Sequence, residues 1–325
     1  MNVSDIDVRH IPPMRNLRTL PDALIDDSAL NLAIADVLGA KELFVEVKSA
    51  LKEIIPKFSI SISTHKEEVR LWAYEIRKQL QLDSSMQYRC QSARKLYLYV
   101  RDQVERAGVF IHCFTGVDVE TVRGFALYDD NMPVIGINNE DRYPAKTFSI
   151  IHELVHLIKR NTAICNQMFN SFSSYEEEIF CNAVAGEVLV PKILLEKQLG
   201  SYIANEIDYD IVEALAAKFS VSKEVICRRL LDIGKILRYQ SEVIMNTVRI
   251  KFESEKEAAK ELRKVTGQGI PRNISREAID QNSAALCRVF YHGYREGIFD
   301  KQDLSRYLGI KQSHIDKFIA EVSRW

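Results

Sequence analysis

The stretch from Thr147 to Lys159, Thr-Phe-Ser-Ile-Ile-His-Glu-Leu-Val-His-Leu-Ile-Lys, constrains this chain more than any other. His152 and His156 lie four residues apart, so on an α-helix both imidazoles leave the same face one turn apart and can share one metal ion. Glu153 flanks that face, which suits a general base acting on a metal-bound water, the mechanics behind the H-E-x-x-H spacing. The other positions are apolar: Phe148, Ile150, Ile151, Leu154, Val155, Leu157 and Ile158. The helix is therefore expected to be buried, and buried polar groups need partners. The competing reading, two satisfied core histidines and a capped glutamate, leaves that need to chance.

A catalytic zinc site needs a third protein ligand and an open position for water. A further histidine of the metzincin kind would require Gly at 159 and His at 162, where Lys159 and Thr162 stand, so a downstream carboxylate is the better candidate. After a polar loop from Asn161 to Ser173 comes Ser174-Tyr-Glu-Glu177, a capping-box spelling, followed by an apolar run that only Asn182 and Glu187 interrupt before Pro191. This spells a second buried helix. Glu178 and Asn182 lie one turn apart on its first half and can present one ligand and one supporting amide. Of Glu176, Glu177 and Glu178, two are expected only to favour the positive end of the helix dipole.

These residues resemble the ImmA/IrrE metallo-endopeptidases. The resemblance covers the middle of the chain: Arg123-Gly124-Phe125, the strand from Pro133 to Asn138, the helix from Phe148 through His156, and the run from Glu178 through Asn182 to Pro191. Registered on Asn182 and Pro191, the family's ligand glutamate falls on Glu178. Val155, Cys181 and Val184 depart from the family's usual Gly, Ala and Phe without removing a ligand or the base. The resemblance implies zinc held by His152, His156 and Glu178, catalysis by Glu153, and Asn138 and Asn182 as supporting or substrate-contacting residues. It also implies a protein substrate, a helix-turn-helix repressor of a mobile element or stress response.

Length and composition bound the class. A chain of 325 residues can hold two or three domains, and a net charge of −1 offers no global field to attract nucleic acid. The six cysteines are scattered with no C-x-x-C pair, which fits a reducing compartment better than a disulfide framework. No charged start precedes an apolar core, and no apolar run reaches membrane-spanning length, so a cytoplasmic protein is expected.

Residues 1–62 read as a poorly defined helical region, with amphipathic stretches from Asp27 to Leu38 and Lys41 to Ile55 and a stop at Pro56. Thr64-His-Lys-Glu67 spells a capping box, and helical periodicity runs on to Gly108, a C-cap candidate. β-rich segments follow, Val109 to Phe114, Val122 to Tyr128 and Val134 to Asn138. His112 and Cys113 are strand neighbours pointing to opposite faces and are read as structural. The fold class expected is α+β: a small zincin-like domain over 63–200, the metal helix plus a short antiparallel sheet, flanked by helical regions at 1–62 and 201–325. An exposed edge at Val134 to Asn138 would hold an extended substrate. Two helix-turn-helix-like hairpins, Leu215 to Leu230 and Leu304 to Ile315, lie in the C-terminal region on either side of a linker expected from Gly267 to Ser275. Their basic residues alternate with acidic ones, so packing is favoured over DNA reading. The function expected is zinc-dependent endopeptidase of the gluzincin type, with Tyr143 and Tyr175 the positional candidates for an oxyanion donor. The alternative is a DNA- or protein-binding regulator with a structural zinc.

Overall fold

The apolar period switches at Gly108, and so does the chain. The computed structural model describes residues 28–63, 67–160, 163–165, 172–200, 206–266 and 273–324. Ahead of the switch lie helices α1 (Ser28–Ala50), α2 (Val69–Gln79), α3 (Ser84–Cys90) and α4 (Ala93–Arg106). Gly108 turns the chain at φ +91°, and a side chain there would meet the Lys57 carbonyl carbon at 2.2 Å. Only glycine fits such a position. The two N-terminal amphipathic stretches are one helix, because Gly39 is a modest helix penalty and not a break. The Thr64–Glu67 capping box falls largely outside the described residues, and α2 instead begins after Glu68, whose side chain makes no cap. Helix α3, not anticipated, is capped by the Asp83 carboxylate, which accepts from the Met86 N–H at 2.8 Å.

Four strands follow: β1 (Phe110–Phe114), β2 (Gly124–Leu127), β3 (Val134–Asn138) and, beyond the metal helix α5 (Tyr143–Ile158), β4 (Ala163–Cys165). Their order is β1-β3-β2-β4. β2 and β3 form an antiparallel hairpin around a turn in which Asp129 accepts from the Asn131 and Met132 N–H groups. β1 lies against the far side of β3 and runs parallel to it. The sheet is therefore mixed, not antiparallel as expected, because the chain between β1 and β2 crosses before the hairpin is made. This places β3 in the interior of the sheet, so Val134 to Asn138 is not an exposed edge. The segment read as a polar loop supplies β4, which pairs with β2 from Gly124 to Ala126.

Both sheet faces are covered, which is why β2 and β3 are buried along their whole lengths. Ile111, Cys113, Ala126, Ile135 and Ile137 pack in one core with α5 and with α6 (Phe172–Leu189). That core extends through α7 (Lys192–Leu199), α8 (Tyr209–Phe219) and α9 (Lys223–Asp232) to the start of α10 (Arg238–Thr266). Phe110, Phe114, Phe125 and Val134 face a second core made by α1 and the last helices, α11 (Ile274–Gln281), α12 (Ala284–Arg295), α13 (Lys301–Leu308) and α14 (Ile315–Val322). The expected linker lies mostly outside the described residues, but its last residue, Ser275, is already within α11.

Helix α4 fastens the last helices with two buried charges one turn apart. Arg101 donates to the carbonyls of Ile279, Asp280 and Asn282 at the C-terminal end of α11. Glu105 accepts from the Ser283 hydroxyl and the Ala284 and Ala285 N–H groups at the start of α12. Each charge thus meets the complementary end of a helix dipole. In the first hairpin Ser222 caps α9, and Arg229 turns inward to the Glu187 carboxylate and the Val190 carbonyl.

Candidate metal centre

Helix α5 opens at Tyr143 with Pro144 in its first turn, where the missing N–H costs nothing. Asn138, the last residue of β3, anchors the approach: its side-chain N–H groups donate to the Val117 and Val122 carbonyls at 2.8 and 2.9 Å, and its carbonyl oxygen accepts from the Glu140 N–H. Its amide is fully buried and spent on backbone, so the substrate or ligand-supporting role expected for it is corrected to loop anchoring.

One α-helical turn apart on α5, His152 and His156 emerge on the face toward α6. Their Nε2 atoms are 3.2 Å apart. Glu178 spans both, one carboxylate oxygen 3.1 Å from His152 Nε2 and the other 3.2 Å from His156 Nε2. Zinc–nitrogen bonds of about 2.0–2.1 Å in tetrahedral geometry put neighbouring donor atoms about 3.3 Å apart. The three donors stand close to that spacing, so the residues present fit a zinc ion. The His152 and His156 side chains are 6% and 1% exposed while Glu178 is 30% exposed, which puts the opening of the site on the Glu178 side. Burial pushes the Glu178 carboxyl up, but hydrogen bonds from His152 and His156 outweigh it and hold the group well below the usual carboxylate range. A ligand carboxylate must be ionised, and that is the form this lowering favours.

Glu153 is buried on α5 and rests against the sheet at Gly124. Glu177 approaches His156 from its other nitrogen, with 3.5 Å between Oε1 and Nδ1. With Cys181 it forms a second donor group that shares His156. Sequence reasoning assigned two of the three glutamates to the helix dipole; α6 in fact begins at Phe172, so Glu176 to Glu178 lie beyond the first turn, where the dipole effect has faded. The readable signal for Glu177 was its place directly before the ligand candidate, facing a histidine that has two ring nitrogens.

Asn182, one turn beyond Glu178 on α6, is exposed. Tyr143 stands at the opposite end of α5, about 13 Å along the axis from His152 at 1.5 Å per residue. Its hydroxyl donates to Asp280 at 2.6 Å, and Asp280 is also gripped by Arg94, so Tyr143 is no oxyanion donor. The Tyr175 side chain lies outside the described residues. His112 stacks on Phe110, and Cys113 lies 3.4 Å from the Tyr97 hydroxyl, on opposite sides of β1. Cys90, Cys113, Cys181, Cys227 and Cys287 are free thiols. Among the described residues, no helix is long and apolar enough to cross a membrane.

Residues 105–231 match the sequence model of the Peptidase_M78 family, described as an IrrE N-terminal-like domain. The match begins at the end of α4 and runs through the sheet, the donor helices and the first hairpin. No curated protein matches the chain.

Proposed function

We propose that this chain, whose residues 105–231 match the IrrE N-terminal-like peptidase model, is a zinc-dependent endopeptidase of the ImmA/IrrE kind acting on a specific protein. The observation that carries the reading is the convergence of His152, His156 and Glu178 at zinc-donor spacing, with a buried glutamate next to the first histidine. Bound there, zinc would polarise the scissile carbonyl and make a water nucleophilic near neutral pH. The protein's own part is to hold and move the proton. Glu153 would accept it from the attacking water and deliver it to the leaving amine, from a side chain almost fully buried against the sheet.

The interior position of β3 moves the substrate elsewhere. Gly124, on which Glu153 rests, pairs with Cys165 of β4, so β4 is the outer strand beside the base. We assign the extended substrate segment to that edge, held by main-chain hydrogen bonds. A linker or locally unfolded loop of a helix-turn-helix repressor meets that requirement, and an intact helix does not. With a near-neutral net charge, recognition is of the repressor and not of its DNA. The free thiols suit a cytoplasmic enzyme.

The regulator reading has less support. A structural zinc takes four protein ligands, whereas among the described residues the group containing both histidines has three members. In the first hairpin Arg229 is spent on Glu187 and Val190, and Arg228 is paired with Asp232. The test is incubation of purified protein with a helix-turn-helix repressor taken from the neighbourhood of its gene. One or two discrete cuts, lost on chelation and restored by zinc, are expected; an intact repressor in the presence of zinc-loaded enzyme contradicts the substrate class.

A further inference from the structure

We propose that Gly124 is a positioning residue for Glu153, its missing side chain being the seat on which the carboxylate lies; the inference rests on the catalytic reading of Glu153. A Cβ at Gly124 would stand 3.1 Å from the Gly136 carbonyl oxygen, 3.2 Å from Glu153 Oε1 and 3.4 Å from Ile137 Cδ1. Gly124 has no positive φ. Its backbone would therefore accept any residue, and the demand for glycine is one of space. Glycine inside a strand weakens it, and its presence there marks a close approach.

The three neighbours do not yield equally. The Gly136 carbonyl belongs to the central strand, held between β1 and β2. Ile137 is fully buried in the core beneath α5. The Glu153 carboxylate ends a flexible side chain and is the group that moves. Strand β2 itself cannot drop away, because Phe125, on its other face, fills the space left by Gly136. A Cβ at Gly136 would lie 2.2 Å from the Phe125 ring, which also stacks on Phe114 at 5.3 Å. Two glycines thus set the height of the sheet under α5: Gly136 receives Phe125 from β2, and Gly124 receives Glu153 from the helix. A methyl group at 124 displaces the base and leaves His152, His156 and Glu178 in place.

A double-mutant cycle tests this, with wild type, Gly124→Ala, Glu153→Ala and the double variant compared by unfolding midpoint and zinc content. Wild type and Gly124→Ala are also compared in cleavage of the neighbouring repressor. Gly124→Ala is expected to lower the midpoint in wild type and to lower it much less when Glu153 is already alanine, with zinc content unchanged. Turnover is expected to fall by roughly three- to tenfold, since the carboxylate must give by a few tenths of an ångström and a misplacement of about 1 Å costs about 100-fold. KM should stay within about twofold, since ground-state binding is untouched. If Gly124→Ala alone fails to fold, recovery of soluble protein in the double variant supports the contact, and equal failure overturns it. Additive midpoints or unaltered turnover also overturn it. Should wild type not cut the repressor, the proposed substrate has failed while the stability cycle still reports on the Gly124–Glu153 contact.

Discussion

His112 offers a sharp test of the packing around β1, through the pH dependence of stability. Its ring stacks on Phe110 with centroids 6.1 Å apart, and although the residue as a whole is only partly buried, its Nδ1 atom is covered and makes no hydrogen bond among the described residues. Burial, with the Arg101 charge adding to it, drives its pKa down from 6.5 to about 4. Between those values the unfolded chain binds a proton that the folded chain refuses, so stability is lost as pH falls through that window and is fully present above 6.5. A shift of that size corresponds to about 3 kcal/mol at 1.36 kcal/mol per unit. Glu105 works in the opposite sense. Burial pushes it from 4.5 up to about 7 against the pull of Arg101 and its hydrogen bonds, so its contribution is present below 4.5 and is lost as pH rises toward 7. The wild-type curve therefore mixes the two, and the comparison must be with His112→Phe, which keeps the stacked ring and removes the titrating nitrogen. Urea unfolding from pH 4 to 8 should show His112→Phe gaining on wild type by about 3 kcal/mol between pH 6.5 and 4, with the difference flat above pH 7. A difference that does not change with pH would mean that His112 takes up its proton as readily in the folded as in the unfolded chain, and the account of its surroundings would be wrong.

Purified protein is expected to hold about one zinc per chain, and His152→Ala, His156→Ala or Glu178→Ala to lower that occupancy by elemental analysis, since each removes a ligand. Full occupancy in Glu178→Ala would transfer the third position to Glu177 or another carboxylate. Glu177→Gln should weaken zinc binding on the order of 10- to 100-fold in competition with a chromogenic chelator, as removal of a carboxylate from the far nitrogen of a ligand histidine does; unchanged affinity would reduce its contact with His156 to packing. Arg101→Met strands three buried carbonyls and leaves Glu105 without its neighbouring charge, so a loss of about 3–5 kcal/mol is expected in urea unfolding, and a loss below about 1 kcal/mol would show that the last helices are not fastened through α4.

Helix α5 was legible because two independent patterns coincided in it, the metal spacing and an apolar sequence that left the polar residues no solvent. The strands were legible from composition, but their pairing was not. Whether β1 sits beside β2 or β3 depends on how the chain from 115 to 123 crosses, and residue alternation carries no trace of that. The consequence was functional, since an edge assigned to β3 belongs to β4. Arg101 and Glu105 read as ordinary charges on an amphipathic helix because their partners lie some 180 residues away, at helix ends whose location only the fold decides. Asn138 shows the limit of motif transfer: it occupies a motif position, yet its amide anchors a loop. Gly124 stood in the sequence as part of Arg123-Gly124-Phe125, but what it makes room for became visible only when β2 lay under Glu153.

The central claim is that Glu153 acts as the base beside a metal held by His152, His156 and Glu178. Glu153→Gln keeps the shape of the side chain and removes its ability to take a proton. The decisive measurement is the cleavage rate of the proposed repressor substrate by wild type and by Glu153→Gln, both loaded to the same zinc content. The account expects discrete fragments from wild type and a rate lower by at least about 100-fold from the variant. Equal cleavage by the two proteins would contradict it.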